Sequence, residues 1–133
     1  MSKEDLEIVR RVMEAWERRD LETVFALYDA AIVWDNSTLP APNAGVYHGH
    51  DGVRQFFQEW LEAFESQHLH AETFIDAGDG VVVGHRISGR GKASGAEVEM
   101  FRWQLYRVRD GLVTRIDVFE TRTEALEAAG RRE

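Results

Sequence analysis

The amino-acid sequence predicts an α+β domain, with helices first and an antiparallel sheet after them. Three observations predict it. Apolar residues recur at steps of three and four as far as Phe64, and from His68 onward their period changes to two; these are the spacings of one helix face and one strand face. The alternating runs are punctuated by Gly78-Asp79-Gly80, by a glycine-rich bend from Gly89 to Gly95 and by Asp110-Gly111. An Asp-Gly pair between such runs signals a hairpin, because glycine accepts the positive φ the turn needs. At 133 residues, the chain fits a single domain spanning 1–133, since two would each be too small for a core.

The elements follow in order. Leu6, Val9, Val12, Met13 and Trp16 form the apolar stripe of a first helix, and Ser2 with Asp5 resembles a capping box before it. Asp20 caps a second helix, whose apolar side carries Leu21, Val24, Phe25 and Tyr28. Ala31 to Asn36 reads as a short strand, β-branched and aromatic in its middle. Ser37 to His50 contains both prolines, Pro40 and Pro42, and reads as a long loop. Such loops are often functional, so this one is either a lid over a pocket mouth or a plain connection. A third helix starts near Asp51, with Val53, Phe56, Phe57, Trp60, Leu61 and Phe64 in a wide apolar stripe. Four strands are expected at about 68–77, 81–91, 96–109 and 112–121. Thr121 with Glu124 forms a capping box for a last helix, Arg122 to Ala129, stopped by Gly130.

Composition narrows the functional classes. Apolar residues make up 44% and charged residues 30% of the chain, an ordinary globular balance. The absence of cysteine excludes disulfides, thiolate catalysis and thiolate zinc sites. The opening MSKEDLEIVRR is charged from its third residue, so no secretory signal is expected there. No run approaches the roughly 18 to 20 apolar residues of a membrane span, and the expected location is the cytoplasm. A net charge of −8 argues against nucleic acid, where phosphate neutralisation dominates binding. No glycine-rich phosphate loop is present and no cofactor is expected. His48-x-His50 and His68-x-His70 have chelating spacing only if they lie on strands. Spacing suggests no third ligand, so no metal is expected.

The strand at 96–109 has two apolar faces. One carries Val98, Met100, Arg102, Gln104, Tyr106 and Val108; the other carries Glu97, Glu99, Phe101, Trp103, Leu105 and Arg107. One face is expected to meet the helices. The other then needs a second partner, and a homodimer through the sheet is the simplest.

Helix, helix, short strand, helix and a four-strand meander is an order that resembles the nuclear-transport-factor-2-like superfamily. The segments ERRDLETVFALYDAAIVWD, YHGHDGVRQFFQEW, YRVRDGLVTRIDVFET and TEALEAAG look like its SnoaL-like members. The resemblance spans nearly the whole chain. It implies a curved antiparallel sheet wrapped by the N-terminal helices into a cone with an internal pocket. Relatives include ketosteroid isomerases and polyketide cyclases, and other members only bind or transport. By resemblance to the ketosteroid isomerases, Val33-Trp34-Asp35 places Asp35 where their general base stands. Val12 occupies the place of their oxyanion tyrosine, and Gln104 falls near their protonated aspartate. Val118 falls near the last-strand aspartate of limonene epoxide hydrolase.

The candidate catalytic residues are therefore Asp35, His85, Gln104 and Glu120. Asp35, on a strand facing an apolar cavity, is expected to have a raised pKa suited to a base. His85, in mid-strand after Val81-Val82-Val83-Gly84, is a possible proton shuttle. Glu120 shares the parity of Ile116 and Val118 and is expected at the pocket rim, as a second carboxylate or a partner of Arg102. Arg102 either neutralises a buried carboxylate or holds an anionic oxygen of a ligand. Trp34, Tyr47, Phe56, Trp60, Phe64, Met100, Tyr106 and Val118 are the expected wall. The reading is a small-molecule enzyme of the isomerase, lyase or cyclase kind, with Asp35 abstracting a proton next to a carbonyl on an apolar substrate. Its alternatives are a non-catalytic binder of an apolar metabolite and an interaction module acting through the sheet face.

Overall fold

The computed structural model describes residues 3–41 and 43–130. Helix α1 (Lys3–Glu17) buries Val9, Val12, Met13 and Trp16 of the stripe expected from periodicity, with Ala15 beside them and Leu6 half-buried. Its proposed cap, Ser2, lies outside the described residues. The chain turns at Arg19, which takes φ of 60°, and Asp20 then caps α2 (Leu21–Ala26) by accepting from the Thr23 amide at 3.2 Å. Strand β1 (Tyr28–Asp35) begins earlier than expected, and Tyr28 is its first residue rather than part of the helix. The long connection hides a short strand, β2 (Val46–His48), antiparallel to β1. Three residues are too few for alternation to reveal a strand. Helix α3 (Gly49–Glu62) buries Val53, Phe56 and Phe57.

Strands β3 (Phe64–Asp76), β4 (Val81–Gly91), β5 (Glu97–Arg109) and β6 (Leu112–Phe119) form the meander. The first starts four residues before the expected position, so Phe64 opens a strand instead of closing the α3 stripe. Between β5 and β6, Asp110 and Gly111 both take positive φ, 53° and 79°, which matches the twist of a tight hairpin. Helix α4 (Arg122–Ala129) carries the full Thr121–Glu124 capping box.

The six strands make one sheet in the order β2-β1-β6-β5-β4-β3. It is antiparallel except where β1 lies parallel to β6, with Trp34 opposite Ile116 and Asp35 opposite Asp117. The four-strand meander is antiparallel, as its hairpin turns predict. The parallel pair arises because β1 precedes the whole meander and meets only its last strand. The sheet curves, leaves β2 and β3 as edges, and packs its concave face on α1, α2 and α3. That core holds Trp16, Phe25, Ile32, Phe57, Tyr106 and Ile116 among others; burying each large apolar side chain contributes roughly 1.5–3 kcal/mol.

On the convex face, α4 packs Ala125, Ala128 and Ala129 on Val82 and Leu105. The second apolar face of β5 is therefore partly covered within the chain itself, and Phe101 remains 46% exposed beyond the helix. No helix among the described residues is long and apolar enough to cross a membrane.

Candidate active site

The concave face and the helices enclose a cavity of about 170 Å³. Its aromatic side comes from Trp16 of α1, Trp34 of β1, and Phe56, Phe57 and Trp60 of α3. These rings lock one another. Trp34 meets Phe57 edge-on at 5.3 Å between centroids, and Phe57 meets Trp16 edge-on at 4.9 Å. Leu39, Ala41 and Asn43 of the long connection also line the cavity. The base of this connection is tied by Asn36, whose side-chain oxygen accepts from the Gly45 amide at 2.7 Å. Tyr47 donates to the Asn43 carbonyl at 2.6 Å.

The polar wall comes from β4 and β5. Antiparallel register sets His85 opposite Arg102, Val83 opposite Gln104 and Val81 opposite Tyr106, and the pleat turns all six toward the concave side. His85 is 1% exposed. Burial, and then the Arg102 charge, hold its pKa down at about 4, so the ring is neutral near pH 7. Neither ring nitrogen has a hydrogen-bond partner among the described residues, and Nδ1 is fully buried. Gln104 is 4% exposed and accepts from the Tyr106 hydroxyl at 2.8 Å; its amide nitrogen keeps two donors without a partner among the described residues. Burial pushes the Tyr106 hydroxyl up well beyond its usual range, with the nearby Tyr28 hydroxyl adding to the effect, so Tyr106 stays a neutral donor. Arg102 makes one hydrogen bond, from Nη1 to the Phe101 carbonyl at 2.8 Å. The Trp34 indole N–H is buried without a partner.

His85, Gln104, Arg102, Tyr106, Trp34, Phe56, Trp60, Met100 and Val118 thus come together around the cavity as the sequence suggests. Asp35 does not. Trp34 turns its indole into the core, and alternation sends the next residue to the convex face. There the Asp35 carboxylate pairs with Arg115 at 3.0 Å, which also bridges Asp117, and accepts from Ser37. The V-x-D pattern is present, but its Val33 and Asp35 share the outer face. No Asp or Glu lines the cavity among the described residues.

Glu120 is also outside. The strand ends at Phe119, and the chain bends there into the Thr121 cap, leaving Glu120 exposed and without an ion pair to Arg102. Tyr47 and Phe64 stand behind the wall rather than in it, Tyr47 tilted against Phe56 at 4.9 Å and Phe64 edge-on to Trp60 at 5.0 Å. Sequence reasoning missed Met13, Trp16, Asn36 and Leu69 as lining. Periodicity marked the first two as core, and nothing in it distinguishes a core position from a cavity wall. Of the paired histidines, His50 holds the Tyr28 carbonyl at 3.0 Å. Among the described residues no three His, Cys, Asp or Glu side chains come together as a metal site.

Comparison with known proteins agrees with this architecture. The sequence profile of the SnoaL-like domain matches residues 9–116. A nuclear-transport-factor-2-like protein from Burkholderia thailandensis E264 is similar in structure, with 27% identity, a TM-score of 0.80, and 99% of this chain and 100% of that one covered. A putative SnoaL-like polyketide cyclase from Jannaschia sp. CCS1 superposes at 21% identity and TM-score 0.76, over 97% and 94% of the two chains. TerC, co-crystallized with polyporic acid, does so at 19% identity and TM-score 0.78, over 97% and 100%. No curated protein matches the chain.

Proposed function

The chain belongs to the SnoaL-like family, and we propose that it is a cofactor-independent enzyme of the isomerase, lyase or cyclase kind acting on a small, mostly apolar carbonyl compound. One observation carries this reading. A neutral, unpartnered histidine shares a cavity wall with Arg102 and with the free amide donors of Gln104. In this reading His85 takes the place the sequence suggested for Asp35. An imidazole nitrogen removes the proton next to the carbonyl, and the C–H electrons pass to the carbonyl oxygen. Gln104 and Arg102 donate hydrogen bonds to that oxygen as its charge develops. Tyr106 positions the Gln104 amide by donating to its oxygen. Charge developing beside Arg102 also offsets one of the two influences that hold the His85 pKa down, which strengthens the base when substrate is bound.

Two relatives of the same fold support the substrate class, one called a putative polyketide cyclase and the other crystallized with polyporic acid. A cytoplasmic location and a homodimer through the exposed Phe101 end of the convex face belong to the same reading. Sedimentation of wild type against Phe101→Glu tests the dimer, and a monomeric wild type rejects it.

The activity is tested by following α-proton exchange of small aryl carbonyl compounds in D₂O by NMR, beginning with 2-indanone. Wild type is expected to accelerate exchange, and His85→Gln to bind the same compounds without accelerating it. Binding by wild type with no acceleration across the series would leave the non-catalytic binder as the function.

A further inference from the structure

We infer that the cavity takes a one-ring aromatic acid whose anionic oxygen rests on the Arg102 guanidinium. This names the substrate class for the reading above and rests on that reading's site.

The argument begins with charge matching. Arg102 lines the cavity, and among the described residues its only hydrogen bond goes to the carbonyl of the preceding residue. A guanidinium has five N–H donors, so most of its capacity is unused. Two other arginines of the sheet have carboxylate partners, Arg86 with Glu72 at 2.6 Å and Arg115 with Asp35 at 3.0 Å, while Arg90 and Arg107 hold backbone carbonyls outside the cavity. The chain carries 24 acidic residues against 16 basic ones, yet among the described residues none of the acidic ones reaches the cavity. Nor does the facing His85 compete, because burial keeps it neutral. A half-buried guanidinium with unused donors on a cavity wall favours a ligand that brings an anion to it. Among the described residues the protein supplies no anion there, and the guanidinium borders the cavity.

Size and shape supply the rest of the ligand. A cavity of about 150 Å³ holds benzene, and this one measures about 170 Å³. One ring with a small substituent fills it. Trp34, Phe56 and Trp60 present their rings on the side contributed by β1 and α3, while Arg102 and Gln104 stand on β5. A ligand apolar at one end and acidic at the other satisfies both walls at once. The planar fork of arginine suits a carboxylate in particular.

The test is calorimetric titration with benzoate and with its neutral isostere benzamide. Wild type is expected to prefer benzoate by about tenfold or more, the size of one charge-assisted contact. Arg102→Gln should lose that preference and Arg102→Lys retain part of it. Circular dichroism melts of both variants show whether the fold is kept. Equal affinity for the two probes, binding of neither, or a preference that survives in Arg102→Gln overturns the inference. These outcomes are separable from the enzymatic reading. Exchange of 2-indanone without benzoate preference removes the acid and keeps the chemistry. Benzoate preference with no exchange on any carbonyl compound does the reverse.

Discussion

Replacing His85 with glutamine should change how stability depends on pH, and the size of the change follows from where the ring sits. His85 is 1% exposed, and burial together with Arg102 lowers its pKa from 6.5 to about 4. Between those values the unfolded chain carries a proton on this residue that the folded chain does not. Stability from this group is therefore full above the unfolded value and declines as pH falls toward the folded one. For these two pKa values the loss is about 2 kcal/mol between about pH 7.5 and 5, and about 3 kcal/mol by about pH 4. The assay is urea unfolding of wild type and His85→Gln at the two higher pH values. Glutamine does not titrate, and the remaining groups cancel in the comparison. Wild type should thus lose about 2 kcal/mol more than the variant, a midpoint difference of roughly 1 M urea. Equal losses in the two proteins would refute the neutral, desolvated histidine and the electrostatics of the cavity wall with it.

Three further substitutions probe the placement of other residues. Asp35→Asn should leave benzoate affinity unchanged and cost about 1 kcal/mol of stability, because its ion pair with Arg115 is part-exposed on the convex face; a loss of binding in the same calorimetric assay would bring the carboxylate back to the site. Gly84→Ala should destabilise by about 1–3 kcal/mol, since an added Cβ would lie 2.5 Å from Cζ3 of Trp103. Thermal melts of the double variant with Trp103→Leu should show most of that loss relieved. Thr121→Ala removes the acceptor for the Glu124 amide and should cost about 0.5–2 kcal/mol, with faster hydrogen exchange confined to α4 and no effect on the cavity.

Elements governed by local rules were legible from the residues alone. Asp20 and Thr121 cap their helices as their side chains suggest, and Arg122–Ala129 runs between the expected cap and Gly130. The spans of β4 and β5 follow from alternation between glycine-bearing turns. The polar wall was legible too, because parity alone groups Met100, Arg102, Gln104 and Tyr106 on one face of one strand. What parity cannot say is which face is concave, or how a short strand is phased against its neighbours. Asp35 shows the consequence. The residue type and its V-x-D setting suited a base, but the choice belonged to Trp34, whose large apolar ring has more to gain from the core.

The sequence by itself thus determined every element but β2, their order and the composition of the long strands' faces, since capping, turn chemistry and periodicity act within a few residues. Only the tertiary structure decided that β1 lies parallel to β6 and that Asp35 is bound to Arg115 outside the cavity. It likewise decided that His85 faces Arg102 in a cavity that no carboxylate lines among the described residues. Those outcomes depend on contacts between residues far apart in the chain, where burial of one side chain dictates the exposure of the next.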